Sequence, residues 1–268
     1  MIEWRELKTM EEMEDVQALD ELIWKADPVP THQTSTAVKN GGIMLGLYDG
    51  KKLIGFSYGF PGFKNGNVYL CSHMLGIHPN YQSQGFGEKL KQKQREVALA
   101  KGYEQIHWTF DPLETRNGYL NLSKLNGICH TYVENCYGEM KDKLNKGLPS
   151  DRFEVHWHIK SPYVTEKQQP LIDGAIPLNS YTVNEVGLPT FKHVEEKELT
   201  ADVYSLVVPK DFQSLKADDK ELALDWRYQT REKFQQLFQA GYTTVRNQPE
   251  EIISTYYFVK KSTLELGG

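Results

Sequence analysis

Residues 71–90 read Cys71-Ser-His-Met-Leu-Gly-Ile-His-Pro-Asn-Tyr-Gln-Ser-Gln-Gly-Phe-Gly-Glu-Lys-Leu90, an apolar strand that runs through a glycine turn into a helix. Without β-carbons at Gly85 and Gly87, consecutive backbone N–H groups can turn toward one centre, and the helix adds its unpaired first-turn donors and positive dipole end. The stretch Gln82-x-x-Gly85-x-Gly87 therefore suits a bound anion such as a pyrophosphate. Two glycines in a strand-to-helix turn often serve only the turn, so the flanks carry weight. Upstream, Asn67 to Ile77 alternates and carries Val68, Leu70, Met74, Leu75 and Ile77, with His78-Pro79-Asn80 closing a buried strand. Downstream, Phe86, Leu90 and Val97 mark a helix with Gln and Lys between them, and Gly102 stands where a left-handed C′ residue belongs.

Other phosphate motifs fit less well. A dinucleotide fingerprint needs Gly-x-Gly-x-x-Gly, and its third position is Leu90 here. Asp111, ending the next strand-like run, keeps a nicotinamide dehydrogenase as a distant alternative. A Walker loop is excluded, since no Gly-Lys-Ser/Thr follows a four-residue gap. What remains resembles the acyl-CoA site of the GNAT N-acyltransferases, whose signature Arg/Gln-x-x-Gly-x-Gly/Ala reads Gln82-Ser-Gln-Gly85-Phe-Gly87 in this chain.

With 268 residues, 39% hydrophobic and 25% charged, the chain can bury one large core or two modest ones. A formal net charge of -5 and the lack of any basic block argue against nucleic acid. Cys71, Cys129 and Cys136 are odd in number and form no CxxC pair, which suits a reducing compartment and argues against structural zinc. No signal pattern opens the sequence and no run reaches the roughly 18 apolar residues of a membrane span. The expectation is a cytoplasmic protein with no membrane partner and no metal; a homo-oligomer stays open.

Along the chain, residues 8–26 read as an amphipathic helix stopped by Asp27-Pro28. Gly42 to Tyr48 and Lys52 to Phe60 flank Asp49-Gly50, suited to a type I′ hairpin turn. The cradle strand and helix follow, then a strand over Tyr103 to Phe110. This order of helix, hairpin, strand, helix and strand is that of the GNAT fold, an α/β mixed sheet in which the strands flanking the cradle splay to admit the pantetheine arm. The resemblance covers roughly residues 3–160. It implies a short helix next, and Asn117 to Ile128 has that shape, with Gly127 as its C′ residue. Beyond an irregular stretch from Ser161 to Pro189, strands over Asp202 to Val208, Tyr242 to Arg246 and Thr255 to Lys260 surround a helix over Asp218 to Ala240. We therefore expect a core at 1–160 and an αβ C-terminal extension at 161–268. Thr109-Phe-Asp-Pro-Leu113, Arg116-Asn117, Asp151-Arg152-Phe153 and Trp226-Arg227 resemble an acyltransferase group in which some members are thought to N-succinylate amino acids.

Acyl transfer from a thioester to an amine needs a base for the ammonium, donors for the oxyanion and a proton for the departing thiolate. The resemblance assigns the oxyanion to backbone N–H groups around Leu75, Gly76 and Ile77, and the phosphates to Gln82, Ser83, Gln84, Gly85, Phe86 and Gly87. Asn117 and Asn121 are candidates for the pantetheine amides, Asn117 equally as an N-cap. His73 on the cradle strand is the leading base; a satisfied strand histidine is the plain alternative, and His107 or Asp111 could act instead. The family's thiolate-protonating tyrosine falls at Leu122 or Ser123, so Tyr119, Tyr132 or Tyr137 must substitute or the thiolate leaves unaided; Tyr132 enters the catalytic set. Cys129 and Cys136 lack a supported partner and read as core. Arg116, Arg152, Arg227 and Arg231 are candidate carboxylate forks, Arg227 and Arg231 lying i,i+4 on one helix face. The expected activity is acyl-CoA-dependent N-acylation, acetyl or succinyl, of a small amine, an amino acid foremost. A silent acyl-CoA-binding regulatory module and a protein N-acetyltransferase are the alternatives.

Overall fold

The computed structural model describes residues 1–138, 147–194 and 198–267. They divide into two compact units, Met1–Trp108 with His158–Lys160 and Thr109–Trp157 with Ser161–Gly268.

In the first unit the strands β1 (Ile2–Glu6), β2 (Ile43–Asp49), β3 (Lys52–Lys64), β4 (Asn67–Ile77) and β5 (Ile106–Phe110, shared with the second unit from Thr109) run in that order across the sheet. All pairs are antiparallel except β4 with β5, which is parallel. Helix α1 (Met10–Trp24) opens with a capping box, Thr9 and Glu12 each holding the other's backbone N–H. It ends at Lys25, left-handed at φ 52°, before Asp27-Pro28 is reached. Met13, Val16 and Leu19 of α1 pack on Met44, Tyr48, Phe56 and Tyr58 with Phe60 and Met74, which fixes the face of the sheet that α1 covers. Burial of each such side chain contributes roughly 1.5–3 kcal/mol. Helix α2 (Thr31–Lys39) follows α1, and helix α3 (Phe86–Ala100) covers the opposite face, where Ser57 points by strand alternation.

Two local readings change. The β2–β3 turn spans Gly50-Lys51 between the paired Asp49 and Lys52, and only Gly50 has positive φ, +59°, so it follows the II′ pattern with glycine first rather than I′. In β4 the pairing passes from Tyr58↔Met74 to Gly59↔Ser72, which leaves His73 as the extra residue of a bulge.

The second unit contains α4 (Thr115–Gly118), a π-helical turn at Tyr119–Lys124, β6 (Ile128–Val133), β7 (Arg152–Trp157), α5 (Pro162–Thr165), β8 (Ile176–Pro177), β9 (Asn179–Val183), β10 (Pro189–His193), β11 (Val203–Pro209), α6 (Phe212–Asp218), α7 (Lys220–Gln239), β12 (Tyr242–Pro249) and β13 (Ile253–Lys260). Its strands are ordered β7-β6-β12-β13-β11-β8, with β9 and β10 a separate hairpin. Phe153 of β7 lies against Phe234 of α7, ring centroids 4.7 Å apart, and against Tyr256 of β13. That packing, with Thr244 opposite Cys129, is why residues 109–157 cluster with the C-terminal strands although the sequence reading groups them with the first 160 residues. After the π-turn the left-handed residue is Asn126, φ 54°, not Gly127. Gly127 is required for room, since a β-carbon there would stand 2.8 Å from the Asn121 carbonyl oxygen. Among the described residues no helix is long and apolar enough to cross a membrane.

Candidate active site

Helix α3 follows its N-cap Gly85, whose φ of +77° only glycine adopts without strain, and no side chain caps the helix. The N–H groups of its first turn therefore face outward from the turn Gln82–Gly87, as an anion site needs. Ser83 is also left-handed, at φ 63°. The flanking amides brace the turn: Gln82 Nε2 donates to the Ile77 carbonyl at 3.2 Å and Gln84 Nε2 to that of Asn80 at 3.4 Å. Gly87 is the more telling glycine. Its φ is not positive, and a β-carbon there would meet nothing closer than Leu75 Cδ2 at 3.7 Å. Neither backbone strain nor packing requires glycine, which in a helix costs about 1 kcal/mol relative to alanine. The open space is what the residue preserves, and an acyl-CoA pyrophosphate fits that requirement.

From this turn β4 leads back along an open edge. The ladder to β5 holds Leu70↔Ile106 and Cys71↔His107 and extends no further among the described residues. Past Cys71 the strands separate, so β4 from Ser72 to Ile77 offers main-chain groups on that side. Leu75 and Ile77, two apart, present their N–H groups to the same edge.

The family profile of the Acetyltransferase (GNAT) family matches residues 4–117. Similar solved structures include the NatC complex bound to Gag peptide and CoA, 15% identical over 59% of this chain and 98% of that chain with a TM-score of 0.48. An acetyltransferase of the GNAT family from Streptococcus pneumoniae is 13% identical over 58% of this chain and 98% of its own, TM-score 0.48. The ribosomal-protein-S18-alanine N-acetyltransferase from Escherichia coli is 15% identical over 59% and 94%, TM-score 0.48. No curated protein matches the chain.

In the first unit the bulge turns His73 toward the α1 face, where its ring lies 6.1 Å from that of Tyr58 and 5.7 Å from that of Phe60. Both aromatic residues line a cavity of about 620 Å³ together with His32, Gln33, Thr36, Asn40 and Pro61. His73 is solvent-exposed, yet the groups crowded round its ring desolvate it and hold its pKa below the ordinary histidine value. Neutral imidazole is the form that accepts a proton. His107 is placed differently: it is buried in the closed part of the β4–β5 ladder, stacked on Tyr69 at 4.2 Å with Nε2 2.9 Å from Gln105 Oε1. The cavity wall from α2 was not legible in Thr-His-Gln-Thr-Ser-Thr-Ala-Val-Lys, which carries no apolar stripe.

The remaining candidates belong to the second unit. Asn121 is buried on the π-turn and Asn117 is exposed in α4, within the helix rather than at its cap, which is Glu114. The Tyr132 hydroxyl donates to Asp151 at 2.6 Å, and burial first, then that carboxylate, pushes its pKa up. Asp151 also receives Arg231 at 2.8 and 2.9 Å, while Arg227 Nη1 donates to Asp111 at 2.8 Å and Nη2 to its other oxygen. Arg152 lies 3.7 Å from Asp111. Arg227 and Arg231 thus each grip a protein carboxylate instead of sharing one anion, and Arg116 is the exposed arginine of the four.

Gly87→Asp tests the cradle cleanly. The backbone is unstrained, the site is open, and an aspartate in the first helical turn favours the helix dipole, so the fold stays intact. Its carboxylate would repel the pyrophosphate. We expect acetyl-CoA affinity by calorimetry to fall at least tenfold, about 1.4 kcal/mol; unchanged affinity would reduce the glycines to turn formers.

Proposed function

We propose that this protein transfers an acyl group, acetyl or succinyl, from coenzyme A to the amine of a small metabolite, with an amino acid as the leading acceptor. The observation that carries the reading is Gly87, a helical glycine that neither strain nor packing requires, beside a strand edge free to hold an extended arm. Gln82–Gly87 would bind the phosphates, Asn117 and Asn121 the pantetheine amides, and the N–H groups of Leu75 and Ile77 the thioester oxygen. The cavity lined by Tyr58 and Phe60, the two rings that His73 contacts, supports a small acceptor, because about 620 Å³ lies within the roughly 300–1,000 Å³ of small-molecule sites. Its lining combines Tyr58 and Phe60 with the uncharged polar side chains of Gln33, Thr36 and Asn40. His73 would take the ammonium proton as the amine attacks. Arg116 is our assignment for a carboxylate on acceptor or donor, in keeping with the resemblance to a group in which some members are thought to N-succinylate amino acids.

Thiol release from acetyl- and succinyl-CoA, measured against amino acids, their amides, other small amines and a peptide, tests this reading. Release stimulated by one class of small amine is the expected result. Binding without release for every amine would leave an acyl-CoA-binding module, and release with the peptide alone would mean a protein acceptor.

A further inference from the structure

Strand β4 carries a glycine at the point where the proposed reaction takes place. Gly76 lies between Leu75 and Ile77, and a β-carbon on it would stand 2.8 Å from Ile23 Cδ1, 2.8 Å from Phe56 Cε1 and 2.9 Å from Trp24 Cη2. Glycine inside a strand weakens it, and a close approach by another group is one reason for keeping it there. Here the approaching group is the end of α1. Trp24 is its last residue, and the Lys25 N–H donates to the Glu21 carbonyl to close the helix behind it. The indole meets Phe56 edge-on, ring centroids 5.9 Å apart at 82°, and its six-membered ring rests on the Gly76 backbone. Phe56 is wholly buried, whereas Trp24 keeps 38% of its surface exposed. An indole that packs on bare backbone and still faces solvent is a rigid wall available to a ligand.

That wall stands beside the proposed thioester site. The His78 N–H donates to the Ile54 carbonyl of β3 at 2.8 Å, so the N–H groups of Ile77 and Leu75 point to the opposite, open edge of β4. A carbonyl oxygen that accepts from the Ile77 N–H places its carbon about 4 Å from that nitrogen, in the plane of the sheet. The indole edge lies perpendicular to that plane, about 4 Å above the Gly76 backbone, since a β-carbon would take up about 1.5 Å and the gap beyond it is 2.9 Å. The two offsets combine to roughly 6 Å between the acyl carbon and the indole, and carbon atoms in contact take up about 3.5–4.0 Å of it. Room is left for about one or two further carbons at about 1.5 Å each. On the other face of the strand Leu75 Cδ2 stands 3.7 Å from the place of a Gly87 β-carbon, so α3 closes that side. The acyl chain is left the α1 face, to which His73 also turns.

We infer that Trp24 sets the length of the acyl chain this protein accepts, admitting acetyl and propionyl groups and rejecting longer ones, an inference that rests on the acyltransferase reading above and its thioester site. Of the two donors proposed there, acetyl-CoA is then the one used. A succinyl chain would drive its carboxylate against the indole and Ile23, apolar surface that cannot solvate a charge. Trp24 makes and breaks no bond; it touches the acyl chain and selects it by shape. Gly76 is the other half of the device, because any side chain there would displace the indole from the strand. In the sequence the two appear only as an interruption of an apolar strand and the last apolar residue of a helix, 52 positions apart.

Donor selectivity is the readout, taken in two ways. Thiol release with one responsive amine gives kcat/KM for acetyl-, propionyl-, butyryl-, hexanoyl- and succinyl-CoA, and calorimetry without amine gives the affinities of the same donors and of coenzyme A itself. The parent should use acetyl- and propionyl-CoA and lose about 10²-fold in kcat/KM at hexanoyl-CoA, the order of discrimination a shaped apolar pocket achieves. Trp24→Ala should raise the hexanoyl-to-acetyl ratio by about tenfold or more, while the affinity for coenzyme A, which has no acyl chain, stays within about threefold. Trp24→Phe, which keeps a ring over Gly76, should fall between the two. A merely structural tryptophan would depress all donors alike and leave the ratio unchanged. If Trp24→Ala does not fold, Trp24→Leu removes the indole and keeps an apolar side chain on Phe56. A parent that turns over hexanoyl-CoA as well as acetyl-CoA, or an unchanged ratio in a folded variant, overturns the proposal. Thiol release by the parent is the separate control. Its absence with every donor and amine sinks the acyltransferase reading, and the calorimetric affinities, which must fall with chain length in the parent and recover in the variant, then decide the role of Trp24.

Discussion

Replacing His73 with alanine is expected to slow single-turnover acyl transfer by about 10²- to 10⁴-fold, the range for a lost general base, and to leave acetyl-CoA affinity near that of the parent. The imidazole stands on the bulge of β4, on the cavity side of the sheet, while the cradle lies beyond the strand's end. Acceptor activation and donor binding are therefore separable. Desolvation lowers the His73 pKa, so the parent's rate should fall with acidity only below the range of an ordinary histidine, as the imidazole gains its proton. In the variant that limb should vanish, and the deficit should shrink at high pH, where the amine is already neutral. An unchanged rate and pH profile would move the base to His107, Asp111 or water.

The second large effect is on stability. Arg227 is 1% exposed and holds both oxygens of Asp111, whose side chain is itself mostly buried. Arg227→Gln leaves Asp111 with the more distant Arg152 and the Leu113 N–H. Removing one partner of a buried ion pair costs about 3–5 kcal/mol because the other charge stays desolvated. We expect urea unfolding of the full chain to show a loss of that order. Removing the second charge as well, in Arg227→Gln with Asp111→Asn, should recover part of the loss, since the uncompensated charge is then gone. A stable Arg227→Gln protein with a raised KM only for carboxylate-bearing substrates would instead give this arginine the substrate-clamp role suggested by its sequence spacing.

The pattern of the 71–90 segment was enough to place the central elements, because the strand and the helix are set by local periodicity and the turn between them by glycine conformation. β4 occupies Asn67–Ile77 as its alternation implies, α3 follows its N-cap Gly85, and Gly102 lies just past its end at φ +89°. The helix and strands of the C-terminal part were legible for the same reason. Residues whose meaning depends on partners distant in sequence were not legible. Arg227 and Arg231 share a helix face, but only packing against Asp111, 116 positions away, and Asp151, 80 away, decides that each meets a separate carboxylate. Tyr132 is committed to Asp151 in the same way. Helix α2, polar almost throughout, is recognisable as a cavity wall only once it lies against β3. Lys91 resembles a solvated helix lysine in the sequence; its burial follows from packing on Ser72 and the Trp108 ring. The sequence by itself therefore determined the local conformations and the anion cradle, which depend on neighbouring residues. Tertiary structure decided which charges are paired, which are desolvated and where they stand, because dielectric and distance depend on contacts made across the whole fold.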